Sequence, residues 1–222
     1  MNDEEIIERW KDNSVPWIAA VREGRIRSRV VATDDAIVNA VLARSPRSVL
    51  DIGCGEGWLV RRLGRHGIDV LGVDVVPELI EKARTEEGGR YDLLSYEDLA
   101  AHGLEESFDI CVCNFSLLGE MAADDLVAAV PSLLKPGGAL IVQTLHPWVA
   151  SIDNPYQDGW RSGSWLGIEG EFGEPAPWYF RTLQNWSQLF SKAGFCIDQI
   201  LEPANPETRQ PASLILVGVV PS

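Results

Sequence analysis

The sequence predicts an α/β domain, a mostly parallel sheet with helices packed on both faces. Three observations carry that prediction. Apolar runs of strand length alternate with helical patterns from Ser48 to Leu145. A glycine-rich loop joins the first of those strands to the helix after it. The chain also has 222 residues, 45% of them hydrophobic, enough to bury a core without disulfides or metals. One domain over 1–222 is expected, in four stretches. These are an N-terminal helical lid over 1–44, a core over 45–145, an aromatic insertion over 146–180, and a terminal helix with two strands over 181–222.

The elements follow in order. Residues 1–44 read as two or three helices, the last starting at Thr33, a residue type that caps helix N-termini. Ser48 to Gly53 is a buried strand. Glu56 to Gly67 is a helix with Trp58, Leu59 and Leu63 on one stripe and a glycine stop. Asp69 to Val75 is the next strand, and Pro77 opens a helix carrying Leu79, Ile80 and Ala83. A short third strand covers Tyr91 to Ser95, and a strong fourth covers Phe108 to Phe115. Cys111 and Cys113 alternate with valine there, as buried strand residues do. Asp124 to Leu134 is helical and stops at Lys-Pro-Gly-Gly. Ala139 to Leu145 is the fifth strand.

The stretch from His146 to Phe180 has neither period. It holds eight of the 18 aromatic residues, with five glycines between them. Thr182 then caps a helix over Leu183 to Gly194. Phe195 to Leu201 and Ser213 to Val220 close the chain as two strands. The connection between them is short, so they are expected to be antiparallel neighbours.

Composition excludes several function classes. There are 33 acidic residues against 19 basic ones, a formal net charge of -14. A general nucleic-acid binder or anionic-membrane binder needs the reverse balance. No apolar run approaches the ~20 residues of a membrane span. The opening Met-Asn-Asp-Glu-Glu lacks the basic start and apolar stretch of a signal peptide. Four cysteines are too few for a disulfide scaffold, so a reduced, cytoplasmic location is the expectation. No pair of His or Cys has metal-ligand spacing, and no metal is expected.

Val49 to Leu59, V-L-D-I-G-C-G-E-G-W-L, carries the most chemistry. Gly53, Gly55 and Gly57 sit between a strand and a helix, where backbone can approach a ligand and helix N–H groups are free. Such loops bind nucleotides at the carboxyl ends of parallel strands. Asp74 ends the following strand, where a carboxylate can accept both hydroxyls of a ribose. The spacing is G-x-G-x-G, not the G-x-G-x-x-G of dinucleotide sites. Asp51, two residues before the first glycine, would repel a pyrophosphate and favour an ammonium or sulfonium. S-adenosylmethionine carries both.

These segments, with G-V-D and L-L-K-P-G-G-A-L-I-V, resemble the motifs of class I S-adenosylmethionine-dependent methyltransferases. The resemblance runs from about Val49 to Leu145 and also fits the terminal helix and strands. It implies a Rossmann-like seven-stranded sheet of order 3-2-1-4-5-7-6 with the last strand antiparallel. His146-Pro147-Trp148 after the fifth strand and Tyr179-Phe180-Arg181-Thr182 before the last helix are similar to small bacterial members of the family. The resemblance implies that Asp51 holds the methionine ammonium, directly or through water. Gly53, Cys54 and Gly55 would pass under the cofactor, with Gly57 completing the loop. Asp74 would bind the ribose, and Val75 would pack on the adenine. Tyr96 and Glu97, or else Ser95, would meet the adenine edge, while Asn114 and Phe115 would line the methionine arm. The product would be S-adenosylhomocysteine.

Methyl transfer mainly requires alignment of donor and acceptor and exclusion of water. A base is needed only where the nucleophile must lose a proton. His146, where the fifth strand leaves the sheet, is the candidate base. Its other reading is a loop pin. The fourth strand ends Asn114-Phe115-Ser116, without the Pro-Pro-aromatic segment of amino-methylating nucleic-acid enzymes, and no Pro-Cys pair exists. A small-molecule acceptor is expected, methylated at oxygen or nitrogen. Trp148, Trp160, Trp178 and Tyr179, with Trp17 from the N-terminal segment, are candidate acceptor-pocket residues. The alternative for the aromatic segment is a dimer contact, and a monomer or homodimer fits. Arg22, Arg25, Arg27 and Arg29 form the one basic cluster. Arg29 or Arg27 would reach the cofactor carboxylate, or the cluster is a solvated face.

Two rival readings share this sheet. One is a non-catalytic S-adenosylmethionine-binding protein. The other is an NAD-dependent oxidoreductase, disfavoured because no Tyr-x-x-x-Lys occurs. From Tyr91 to Leu134 there are nine acidic residues and no Lys or Arg. That acid lies along the expected adenine side, so neutral or cationic acceptors are preferred.

Overall fold

The computed structural model describes residues 1–86 and 88–221. Its strands are β1 (Ser48–Ile52), β2 (Asp69–Asp74), β3 (Arg90–Leu93), β4 (Phe108–Asn114), β5 (Leu134–Thr144), β6 (Gly159–Arg161), β7 (Trp178–Phe180), β8 (Cys196–Leu201) and β9 (Leu214–Val219). Seven of them form one sheet in the order β3-β2-β1-β4-β5-β9-β8. Counted along that sheet alone, the order is 3-2-1-4-5-7-6, as the family resemblance implies. The first five strands pair in parallel, and β9 runs antiparallel to both β5 and β8.

Period-two alternation sorts the strand side chains into two cores. Leu50, Ile52, Cys111 and Cys113 belong to one face. Val49, Ile110 and Val112 belong to the other. The first face is covered by α6 (Tyr96–His102), α7 (Met121–Ala129) and α8 (Leu183–Lys192), through Leu99, Leu126 and Phe190. The second is covered by α3 (Asp34–Leu42), α4 (Trp58–Gly64) and α5 (Pro77–Arg84), through Ile37, Leu63 and Ile80. Two further helices, α1 (Asp3–Asp12) and α2 (Ser14–Arg22), precede them. No helix among the described residues is long and apolar enough to cross a membrane.

Three local expectations are corrected. Thr33 is not a helix cap: its backbone is helical, and it ends a π-turn over Arg29–Thr33 that runs directly into α3. Lys-Pro-Gly-Gly does not separate helix from strand. A short 3₁₀ turn over Val130–Leu133 does that, and β5 starts at Leu134 with an irregular register against β4. The aromatic segment is not wholly irregular, because β6 and β7 pair as a separate antiparallel ribbon with Trp160 opposite Tyr179.

Candidate functional site

The site lies at the carboxyl ends of β1, β2 and β4. Gly53, Gly55 and Gly57 all have positive φ, at 76°, 57° and 83°. Their surroundings differ. The N–H groups of Gly53 and Cys54 both donate to the Val73 carbonyl, at 2.8 and 3.0 Å, which folds the loop over the end of β2. A Cβ on Gly53 would stand 2.3 Å from that of Ser116. Ser116 needs the approach because its hydroxyl donates to the Ile52 carbonyl at 2.6 Å. A Cβ on Gly57 would stand 2.6 Å from the Tyr91 hydroxyl, in the protein interior. At Gly55 the nearest atom would be Trp17 Nε1 at 4.0 Å, an ordinary van der Waals contact across the space that both residues line.

That space is a cavity of about 810 Å³. Gly53, Cys54, Gly55, Asp74, Val75, Glu97, Asn114 and Phe115 line it, as do Ser95, Tyr96, Arg27 and Arg29. Asp74 is held on its wall by two backbone donors. Gly55 N–H reaches Oδ2 and Val76 N–H reaches Oδ1, both at 2.9 Å. Burial raises the Asp74 carboxyl above its ordinary value, and these two bonds oppose the rise. Asp51 is buried beside it, 1% exposed, and is not on the cavity wall. Its Oδ1 has no hydrogen-bond partner among the described residues. Burial first, and the Asp74 charge second, push its carboxyl up to about 8.

Several predicted residues take different roles. Ser95 caps α6: it accepts from Asp98 N–H at 3.0 Å, and Asp98 accepts from the Ser95 N–H. The Tyr96 hydroxyl donates to the Ser116 carbonyl at 3.0 Å. Tyr96 thus braces the loop after β4 beneath Gly53, and burial pushes its phenol well above the usual value. Glu97 remains exposed. Gly57 faces Tyr91 rather than the cavity. Phe115 has φ of 53°, an uncommon conformation for a bulky residue, where the chain turns at the end of β4. Arg29 is largely buried, with Nε donating to Asp34 at 2.9 Å and its guanidinium 4.5 Å from the Trp58 ring centre. Arg27 is exposed and paired with Glu207.

His146 lies outside the cavity lining. Trp148 N–H donates to its Nδ1 at 3.2 Å. A backbone N–H can only donate, so Nε2 carries the proton and donates to Glu202 at 2.8 Å. Leu145, one residue earlier, is the one that turns toward the cavity. The structure places His146 as a pin between the following loop and Glu202, one residue beyond the cavity wall.

The aromatic residues divide. Trp17 and Trp178 line the cavity, whereas Trp148, Trp160 and Tyr179 do not. Trp148 is 53% exposed. Trp160 donates from Nε1 to Glu120 at 3.1 Å and meets Tyr179 edge to face. Trp10 and Trp165 take their place. Trp10 lies 4.9 Å from Trp17 and 5.9 Å from Trp165, and Trp165 stacks on Phe172 at 4.3 Å. Asn13, fully buried, ties this roof together. It donates to the Glu174 carbonyl at 2.9 Å and accepts from Gly173 N–H at 2.8 Å. Ile6, Trp10, Trp17 and Val21 recur at helical spacing on the cavity face of α1 and α2, a periodicity that flags Trp10. Trp165 sits in a segment with no period to flag it.

Glu56 was not anticipated either. It is 1% exposed and accepts from Arg61 Nη2 at 2.9 and 2.8 Å and from Arg22 Nε at 2.9 Å. It joins α2 to the glycine loop.

Residues 49–138 match the family described as a methyltransferase domain. A ubiquinone biosynthesis O-methyltransferase from Xanthomonas axonopodis is 40% identical over 114 residues, 49% of this chain and 47% of the relative. Another from Cereibacter sphaeroides is 39% identical over 128 residues, 54% of this chain and 50% of the relative. The chain thus spans about half the length of the curated relatives it matches. Among solved structures, a magnesium protoporphyrin IX methyltransferase from Synechocystis with bound S-adenosylhomocysteine has a TM-score of 0.66 at 21% identity, covering 98% of this chain and 100% of that one. An S-adenosylmethionine-dependent methyltransferase from Mesorhizobium loti has a TM-score of 0.62 at 24% identity, covering 81% and 95%. At those identities the structures speak for the fold alone. The match over residues 49–138 is to a methyltransferase domain, and the sheet built around it has the fold of the S-adenosylmethionine-dependent methyltransferases it resembles.

Proposed function

We propose that the chain is an S-adenosylmethionine-dependent methyltransferase acting on a small organic molecule. The observation that carries the proposal is Asp74, locked by Gly55 and Val76 N–H groups on the wall of the cavity. A carboxylate fixed this way keeps lone pairs for the two hydroxyls of a ribose. The residues fit the rest of the cofactor. Gly55 lines the cavity, and a Cβ there would meet only Trp17 Nε1, at 4.0 Å. Asp51 offers a buried oxygen without a partner, suited to a nearby cation. Val75 lies next to Asp74 for the adenine face, and Glu97 lies at the open side. Arg29 is the cationic group for the methionine carboxylate, in preference to the solvent-exposed Arg27.

When bound, S-adenosylmethionine supplies a methyl group activated by its sulfonium. The protein's part is alignment and dryness. The roof of Trp10, Trp17 and Trp165, tied by Asn13, excludes water from the side opposite the glycine loop. The acidic balance of the chain supports an acceptor that is not a polyanion. The curated relatives are named as O-methyltransferases, which supports oxygen as the methylated atom.

The test is incubation with S-adenosylmethionine labelled in the methyl group and a metabolite extract. Label should pass to a small organic product while S-adenosylhomocysteine accumulates. Binding of the cofactor without any labelled product would leave a cofactor-binding protein instead.

A further inference from the structure

Gln143, on β5, is 1% exposed and sets the direction of a neighbouring amide. Its Nε2 donates to the Thr33 carbonyl at 3.1 Å. A backbone carbonyl only accepts, so this end of Gln143 must be nitrogen. The same nitrogen donates to Asn114 Oδ1 at 2.8 Å, and the other end accepts from the Ser213 hydroxyl at 3.4 Å. Asn114 therefore turns its oxygen inward. Its Nδ2, a donor only, is left without a partner among the described residues, and Asn114 lines the cavity.

Thr33 lines the same cavity. It is 1% exposed, and its Oγ1 has no partner among the described residues. The π-turn explains why. In an α-helix a threonine hydroxyl can bond back to the carbonyl four residues earlier. Here that carbonyl, of Arg29, accepts from Asp34 N–H instead. Such π-turns concentrate at functional sites. These two polar groups lack a protein partner among the described residues and belong to residues lining one cavity, where a ligand could satisfy both in place of solvent.

We propose that Asn114 Nδ2 and the Thr33 hydroxyl form the polar end of the acceptor subsite, taking a hydrogen-bond-accepting oxygen of an otherwise apolar, uncharged molecule. This rests on the methyltransferase reading and narrows its acceptor class. An ammonium would bring donors against the donor of Asn114. The cavity carboxylates are already engaged: Asp3 accepts from Glu120 and Ala122 N–H, Glu56 from two arginines, and Asp74 from Gly55 and Val76. Glu97 stands exposed on α6. Asn114 thus belongs with the acceptor rather than with the methionine arm of the cofactor.

The test uses two probes of similar shape, acetophenone and benzylamine, titrated with S-adenosylhomocysteine at saturation. The wild type should bind acetophenone about tenfold more tightly. Asn114→Asp keeps the oxygen that Gln143 holds but replaces the donor with an acceptor, and should reverse the preference. Thr33→Val should weaken acetophenone severalfold. It should also raise Tm by about 2–4 °C, because an uncompensated buried hydroxyl is gone. Its affinity for S-adenosylhomocysteine should stay within about twofold, as expected when the lost interaction is confined to the acceptor.

No preference in the wild type, or an unchanged order in Asn114→Asp, overturns the subsite. Failure of the wild type to bind S-adenosylhomocysteine overturns the cofactor reading instead. The probe preference then decides the subsite on the ligand-free protein.

Discussion

Replacing Asp51 by asparagine raises the melting temperature of the ligand-free protein and weakens its binding of S-adenosylhomocysteine. The two effects have one cause. Asp51 is buried with an oxygen that bonds to nothing, and its carboxyl titrates near 8 in the folded state. In the unfolded chain an aspartate titrates near about 4. Between those two values the folded protein holds the extra proton, so stability falls as pH rises from about 4 to about 8. The amide of the Asp51→Asn variant has no such proton to lose. The gain in Tm should vanish below about pH 4 and reach roughly 5–10 °C at pH 8, a few kcal/mol for a chain of this size. Calorimetric scans at pH 4, 6 and 8 check it. A variant that is equally or less stable than wild type at pH 8 contradicts the account. The weakened binding follows from the proposed role of Asp51: the ligand's ammonium loses a buried carboxylate oxygen that has no partner among the described residues.

Glu56→Ala has the opposite sign and a comparable size. Its carboxylate is the shared partner of Arg22 and Arg61, whose side chains are 26% and 17% exposed. Removing the acid leaves two partly buried guanidinium groups without their partner. Breaking a buried pair in this way is destabilising by about 3–5 kcal/mol, or roughly 10 °C in Tm here. The loss has a location as well. Arg22 ends α2 and Arg61 lies in α4 behind the glycine loop, so the N-terminal helices lose an anchor. Arg22 keeps Glu86, so α2 loosens rather than detaches. Hydrogen exchange over 3–22 should quicken more than in the sheet. A uniform change, or a Tm within about 2 °C of wild type, contradicts this role.

Much of the fold could be read because its signals are local and periodic. Val49, Leu50 and Ile52 put apolar side chains on both faces, as a central parallel strand needs, and three glycines follow where the chain must turn. Asp74 could be placed because strand length alone carries it to the same edge as Gly55. The strand order required the family resemblance, since pairing is a long-range property.

The cavity was less legible. Trp148, Trp160 and Tyr179 share composition with Trp165 and Trp178, but the turns between them decide which ring faces inward. Those turns are set by tertiary bonds such as Asn13 to Glu174, across more than 150 positions of sequence. His146 looked catalytic from its place after β5. It bonds to Glu202, which arrives from the end of the edge strand β8, 56 positions along the chain. Thr33 suggested a helix cap because a π-turn has no simple sequence mark.

The central claim is that Asp74 and the glycine loop hold the nucleoside of the methyl donor. Isothermal titration with S-adenosylhomocysteine tests it most directly. The wild type should bind one equivalent with micromolar affinity or better, and Asp74→Ala should lose about 100-fold or more while staying folded. Equal affinity in the two proteins, or none in the folded wild type, contradicts the claim.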